Sequence, residues 1–179
     1  MEKEYYTNNK QFEVERRSHG PEWKMSIMHY HSSYEILMFE TGNCNILIDE
    51  NVIPAEQYDI FLIAPNVLHK NNGGSSHTRT VLYFEKKHIE KFFTPAASEE
   101  LLSCFSYKKV SVSKKDFEYI LAHAMKLLKE PNDFISLGCI LKFLSDCRPA
   151  DLTEHRLIDS ILHSEKRNGF KSSVLYQYV

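Results

Sequence analysis

Two imidazoles and a carboxylate stand at His29, His31 and Glu35, in the stretch HYHSSYEILMFETG that runs from His29 to Gly42. All three occupy odd positions, so an extended backbone turns them to one face of a sheet. A third imidazole, His69, follows the apolar run from Asp59 to Ile63 and the turn at Pro65. Histidine and glutamate offer hydrogen-bond donors and acceptors to a small polar molecule. Three imidazoles and one carboxylate are also a ligand set for a divalent iron, manganese, nickel or zinc ion. A third arrangement is a cluster in which the four groups satisfy one another. Phe39, on the His29 face, Tyr34 nearby and Tyr83, on a later strand, add aromatic surface to the same pocket.

The elements that must position these groups read as strands. FEVERR from Phe12 alternates apolar and charged residues, the pattern of a half-buried strand. Gly42-Asn43 supplies the residues that a tight hairpin turn favours. Cys44 to Asp49 puts Ile46 and Ile48 on one face, and Asp49-Glu50-Asn51 turns the chain into a short return that ends at Pro54. Asn71 to Ser76 has the composition of a flexible loop. Thr78 to Glu85 is the last strong strand, with Val81 and Tyr83 alternating against Leu82 and Phe84. Seven or eight short antiparallel strands imply a sandwich or a small barrel.

After Lys86 the pattern changes to helices. Lys87–Phe93 is a short one broken by Pro95, and Ser98–Phe105 another, with Ser98 as its cap. Ser113 opens a longer helix with Asp116 three residues on, and its stripe is Phe117, Ile120, Leu121, Ala124 and Leu128. A second long helix, Asp133 to Asp146, is apolar on more than one side through Phe134, Leu137, Ile140, Leu141, Leu144, Ile135 and Phe143, and should lie between two surfaces. Leu152 to Leu162 reads as a final helix.

With 179 residues, 42% of them hydrophobic and 26% charged, the chain is long enough to bury a core. Its formal charge of −2 argues against nucleic-acid binding by this chain itself, which needs a concentrated cationic excess. Cys44, Cys104, Cys139 and Cys147 form no C-x-x-C pair, and no secretory signal precedes them, so reduced thiols in a cytoplasmic protein are expected. No apolar run is long enough to span a bilayer. Ser32-Ser33 lacks a base and acid at nucleophile spacing, and Gly73-Gly74 lacks the residues of a phosphate loop. His19, His77, His88, His123, His155 and His163 fall in turns or on helix faces, where exposure or capping is the ordinary explanation. Trp23 is placed to cover the pocket mouth or to anchor a core.

The spacing H-x-H-x3-E-x6-G from His29 to Gly42, and the strand, proline and histidine from Asp59 to His69, resemble the two motifs of the cupin superfamily. The short interval from Pro65 to His69 resembles the sensor domain of AraC-type transcription regulators, and the resemblance spans Phe12 to Leu162. Three positions depart from the pattern: Tyr58 stands for the usual glycine, the upstream glycine is displaced to Gly20, and the asparagine after the last histidine is off register at Asn71 or Asn72. The resemblance implies a mainly β fold with C-terminal α: a cupin-type jelly-roll β-barrel over 12–86, an arm at 1–11, a helical dimerisation and linker element over 87–164, and a tail at 165–179. It implies a homodimer held by a helix pair carrying Phe117, Ile120, Leu121, Phe134, Leu137, Ile140, Leu141 and Leu144. The same amphipathic helices would equally serve as a lid over their own sheet.

The effector pocket would comprise His29, His31, Glu35, Phe39, His69 and Tyr83, and its ligand would be a small polar molecule such as a sugar. No membrane partner is expected. DNA would be contacted only through a helix-turn-helix region, for which no room remains after Leu162. A metal-dependent cupin enzyme of dioxygenase or isomerase type, using His29, His31, Glu35 and His69, is the alternative.

Overall fold

The computed structural model describes residues 5–8, 12–130 and 133–147. Residues 1–147 form one compact unit, and the expected helix at 152–162 and the tail at 165–179 lie outside the described residues. Nine strands follow one another, most joined by short turns: β1 (Tyr5–Asn8), β2 (Phe12–His19), β3 (Tyr34–Thr41), β4 (Cys44–Ile48), β5 (Asn51–Ala55), β6 (Asp59–Ile63), β7 (His69–Gly74), β8 (His77–Phe84) and β9 (Lys109–Ser111). Among the described residues four α-helices are interposed or follow: α1 (Lys86–Glu90), α2 (Pro95–Leu102), α3 (Lys114–Lys129) and α4 (Phe134–Asp146).

All pairings are antiparallel. One sheet has the order β1-β2-β8-β3-β6-β9 and the other β5-β4-β7. The chain changes sheet at β3–β4, β5–β6, β6–β7 and β7–β8, so successive strands wrap around a shared interior. This is the expected cupin-type jelly roll, but its two sheets face each other without closing into a barrel.

Alternation along the strands divides the apolar residues into two cores. Leu37, Phe39, Phe61, Ile63 and Val81 of the large sheet meet Cys44, Ile46, Ile48 and Ala55 of the small one. On the opposite face of the large sheet, Phe12, Val14, Ile36, Met38, Ile60, Leu62, Leu82 and Phe84 meet the helices. β3 and β6 are therefore buried on both sides, which explains their near-continuous apolar runs. Each such side chain contributes roughly 1.5–3 kcal/mol on burial.

Several local expectations are corrected. Asn71–Ser76 is not a flexible loop; its first part is strand β7, which pairs with β4. Gly74 is there because the strands approach closely: a Cβ on it would lie 2.4 Å from the Cα of Cys44 and 2.5 Å from the carbonyl oxygen of Asn43. Gly42, at φ +77°, makes the β3–β4 turn. β5 runs through Pro54 to Ala55, as an edge strand can, since a residue without N–H is tolerated there. Tyr58, standing where a glycine was expected, has φ +73°. Pro95 starts α2 rather than only ending α1, with Thr94 as the cap accepting from the Ala97 amide, and Ser98 is a buried residue inside that helix. β9 went unforeseen. It pairs with β6 and is held by Asp59, which takes Lys109 Nζ at 2.6 Å and the Ser111 hydroxyl at 2.6 Å.

The long helices start where their caps stand. Ser113 accepts from the Asp116 amide, and Asp133 from the Ser136 amide. Phe117, Ile120, Leu137, Ile140, Leu141 and Leu144 are buried in the core that the helices share with one face of the large sheet, with Leu121 and Phe134 partly buried beside them. Ile135, by contrast, is 78% exposed and Tyr119 45%. Together with Phe93, Leu101 and Phe143 they line an open groove of about 660 Å³ between α2, α3 and α4. The four cysteines are free thiols, and burial pushes Cys44 and Cys104 up to about 12.

Candidate functional site

β3 begins at Tyr34, so His29 and His31 reach the site from the preceding segment rather than from a continuous strand. Backbone bonds hold that segment in place. His29 and His69 exchange amide-to-carbonyl bonds of 3.0 and 2.9 Å, the Asn66 amide donates to the His31 carbonyl at 2.8 Å, and the Met25 amide donates to the Asn71 carbonyl at 3.0 Å. Residues 20–33 thus run over one end of the space between the sheets and hang two imidazoles into it.

Glu35 is the first pocket residue of β3 and is 2% exposed. His31 Nε2 lies 2.9 Å from Glu35 Oε2, and His69 Nε2 lies 3.2 Å from the same oxygen. His31 Nδ1 is 2.9 Å from the Ser33 carbonyl oxygen and His69 Nδ1 is 2.9 Å from that of Val67. A carbonyl only accepts, so both Nδ1 atoms carry hydrogen and both Nε2 atoms point at the carboxylate. A neutral ring in that tautomer would set a lone pair against a carboxylate. The arrangement is favourable when the imidazoles are protonated, or when a cation lies between them.

The electrostatics agree. Burial works to raise the Glu35 carboxyl, but the hydrogen bonds from His31 and His69 outweigh it and hold the group at about 2. Burial works to lower His69, and its contacts with Glu35 leave it raised instead. His29 is lowered by burial and by the neighbouring His69. Burial also raises the Tyr83 phenol, with Glu35 adding to the effect.

Among the described residues, the buried His29 Nδ1 has no hydrogen-bond partner, and His69 Nε2 meets only the Glu35 carboxylate, at 3.2 Å. Ligand atoms of His29, His31 and His69 all lie within 4.8 Å of one another, and the Glu35 oxygen touches two of those rings. An unpaired imidazole nitrogen on His29, beside His31 and His69 rings fixed through Nδ1–H to backbone carbonyls with Nε2 turned to Glu35, forms the donor set that a divalent transition metal takes. The residues fit such an ion.

Of the expected pocket residues, His29, Glu35, His69 and Tyr83 line one cavity of about 30 Å³, which Met25, Leu37, Ile46, Ile63, Lys70, Asn71 and Arg79 complete. His31 stands beside it with its ring edge-on to Tyr83, centroids 5.4 Å apart. Phe39 does not line it; that ring packs against Phe61 and His77 deeper between the sheets. Tyr34 faces the helices, stacked on Phe84.

A neighbouring polar group was missed by reading the sequence alone. His77 is not in an exposed turn but 2% exposed on β8, its Nδ1–H donating to the Ser75 carbonyl at 2.9 Å. His19 stacks on Trp23 at 3.7 Å and accepts from Arg79 Nε at 3.3 Å. His88, expected to be exposed or capping, does cap a helix, accepting from the Glu85 amide, and is buried. The signal that would have found the first group is the odd face of β8, where His77, Arg79, Val81 and Tyr83 share a side.

A family model described as an AraC-like ligand binding domain matches residues 12–126. No curated protein sequence matches the chain. Among solved structures, it is similar to a cupin protein from Bacteroides fragilis at 20% identity and a TM-score of 0.41, covering 43% of this chain and 68% of that one. A Cupin 2 conserved barrel domain protein from Salinispora arenicola gives 20% identity, a TM-score of 0.41, and coverage of 48% and 73%. Oxalate decarboxylase from Bacillus subtilis, in a study of its Mn(II) centres, gives 14% identity, a TM-score of 0.38, and coverage of 42% and 21%. No helix among the described residues is long and apolar enough to cross a membrane.

Proposed function

This chain belongs to the family of AraC-like ligand binding domains, and from that premise we propose that it is the effector-sensing and dimerising part of a cytoplasmic transcription regulator, reaching DNA only through a helix-turn-helix region outside this chain. The observation that carries the reading is the buried polar pocket under residues 20–33, built from Glu35, His29, His69, Tyr83 and Arg79. A cavity of about 30 Å³ has room for roughly one water molecule, so a sugar-sized effector enters only as the 20–33 segment lifts or repacks. That displacement is the signal. It reaches the helices through β3 and β8, whose pocket residues Glu35 and Tyr83 alternate with Ile36, Leu82 and Phe84 on the helix side.

Because the apolar stripes of α3 and α4 are taken up by the chain's own core, a second copy would meet the outward residues Tyr119, Ile135 and Phe143 instead. The test is sedimentation of the purified chain with a panel of small polar molecules, sugars included. The expected result is a ligand that shifts the monomer–dimer equilibrium and is recovered unchanged. A panel in which every binder is consumed and none alters assembly would refute the sensor.

The second reading, a metal-dependent cupin enzyme, is favoured by the unpaired His29 Nδ1 and by the convergence of His29, His31 and His69 within 4.8 Å of one another. His29, His31, His69 and Glu35 would hold the ion, which would supply Lewis acidity to a bound substrate. Metal content of the wild type, His31→Ala and Glu35→Ala decides whether it is bound: near-stoichiometric zinc, nickel, iron or manganese lost in both variants supports the ligand set.

A further inference from the structure

We propose that the effector is a small organic acid whose carboxylate pairs with Arg79, a cation that has no counter-ion among the described residues. The inference rests on the sensor reading and narrows its ligand from polar molecules at large to monocarboxylates.

Arg79 lies on the odd face of β8, opposite Phe39 of β3 and Arg17 of β2, and its side chain lines the cavity with Asn71 and Tyr83. The arginines of the adjoining strand are each matched by an acid. Arg16 holds Glu40 through Nη2 at 2.8 Å and Arg17 holds Glu15 at 2.7 Å. Among the described residues, no carboxylate lies within ion-pair distance of Arg79. Its guanidinium carbon sits 5.0 Å above the Trp23 ring and its Nε–H donates to neutral His19. Glu35, the acid that also lines the cavity, is already shared by His31 and His69.

A part-buried guanidinium with no acid has given up water without recovering an ionic partner, and a carboxylate would accept two parallel N–H bonds from it. The remaining walls say what the rest of the molecule is. Leu37, Ile46, Ile63 and Met25 give the cavity apolar wall beside the polar His29, Glu35, His69, Lys70, Asn71 and Tyr83, so the body beyond the carboxylate is a short hydrocarbon or an aromatic ring that packs on the apolar part. His19 is held down to about 4 by burial and by Arg79, and burial also lowers His77. Neither adds positive charge near neutral pH, which leaves Arg79, with Lys70 also on the cavity wall, to meet the carboxylate.

Trp23, the sole tryptophan of the chain, lies under Arg79 and reports on the site directly. Its fluorescence would be titrated at constant ionic strength with acetate, butyrate and benzoate, with their amides, and with glucose as the neutral polyol, alongside thermal unfolding. The acids should give a saturable fluorescence change and a rise in Tm that the amides do not. Arg79→Gln should weaken acid binding at least tenfold, and Arg79→Lys should retain part of it, with both variants showing the wild-type far-ultraviolet circular dichroism. Acids that bind Arg79→Gln as tightly as the wild type would overturn the assignment. Glucose binding wild type and Arg79→Gln alike, with no acid binding, would overturn it while leaving the sensor reading intact. Silence toward every acid, amide and polyol would remove both.

Discussion

Replacing Glu35 by glutamine keeps the shape of the side chain and removes the charge that organises the pocket. The carboxyl stands at about 2 against an ordinary 4.5, and with each tenfold change in acidity constant equal to about 1.4 kcal/mol, the ion pair contributes about 3 kcal/mol. The sign follows from linkage. A depressed carboxyl stabilises the fold at pH values above about 4.5, and that contribution is lost as pH falls toward 2. His69 is raised by the same contact, so its share, which is the same interaction and is counted once, is lost as pH climbs through its folded value above 6.5. The benefit of Glu35 is therefore greatest between roughly pH 5 and 6.5 and shrinks on either side. Urea unfolding of wild type and Glu35→Gln, in chelator and across pH 2.5 to 9, measures this directly. The expected gap is about 3 kcal/mol near pH 6, narrowing in acid and more gradually in base. A gap that stays constant with pH would refute the reasoning, because it would mean that glutamine disturbs packing rather than an ion pair. So would equal stability at pH 6.

Other perturbations test the frame around the pocket. Gly74→Ala forces a Cβ to within 2.4 Å of the Cα of Cys44, and should cost at least about 1–3 kcal/mol as an overpacked site, read by thermal unfolding. Ile135→Asp, at a residue 78% exposed, should change the stability of the isolated chain by less than about 0.5 kcal/mol yet abolish dimers in sedimentation; an unaltered dimer would place the partner contact elsewhere. Tyr58 holds a left-handed backbone while its ring packs on Phe117 at 5.3 Å. Tyr58→Gly should recover about 1 kcal/mol of backbone strain and lose more than that in packing, and a double-mutant cycle with Phe117→Leu should show a coupling of about 0.5–1.5 kcal/mol.

How much of this was legible in the sequence depends on which physical rule each residue obeys. The odd-position rule led to Glu35, Leu37, Val81 and Tyr83 because β3 and β8 are true strands with period two. It led to His29 and His31 for a different reason: they lie outside any strand and are held by the His29–His69 bridge. Composition misjudged Asn71–Ser76, since glycine there answers the close approach of β7 to β4 and not a need for mobility. β9 has only three residues, too few for any periodicity, and its place is fixed by Asp59 from 50 residues away in the chain. The stripes on α3 and α4 announced burial correctly, but an apolar stripe does not name the surface that covers it.

The same alternation that made the strands readable is what would make the domain a sensor. Along β8, Leu82 and Phe84 belong to the core beneath the helices while Val81 and Tyr83 belong to the space between the sheets; along β3, Ile36 and Met38 stand between Glu35, Leu37 and Phe39 in the same way. A strand cannot move one set of side chains without the other, because adjacent residues share a backbone and both faces are packed at interior density. A ligand that draws Glu35, Tyr83 or Arg79 toward it would therefore disturb the core that β3 and β8 share with Phe117, Leu137 and Ile140. If assembly uses the outer faces of α3 and α4, the ligand changes the dimerisation constant by some factor, and dimerisation must change ligand affinity by the same factor. This reciprocity would tie the pocket to the assembly without any contact between them.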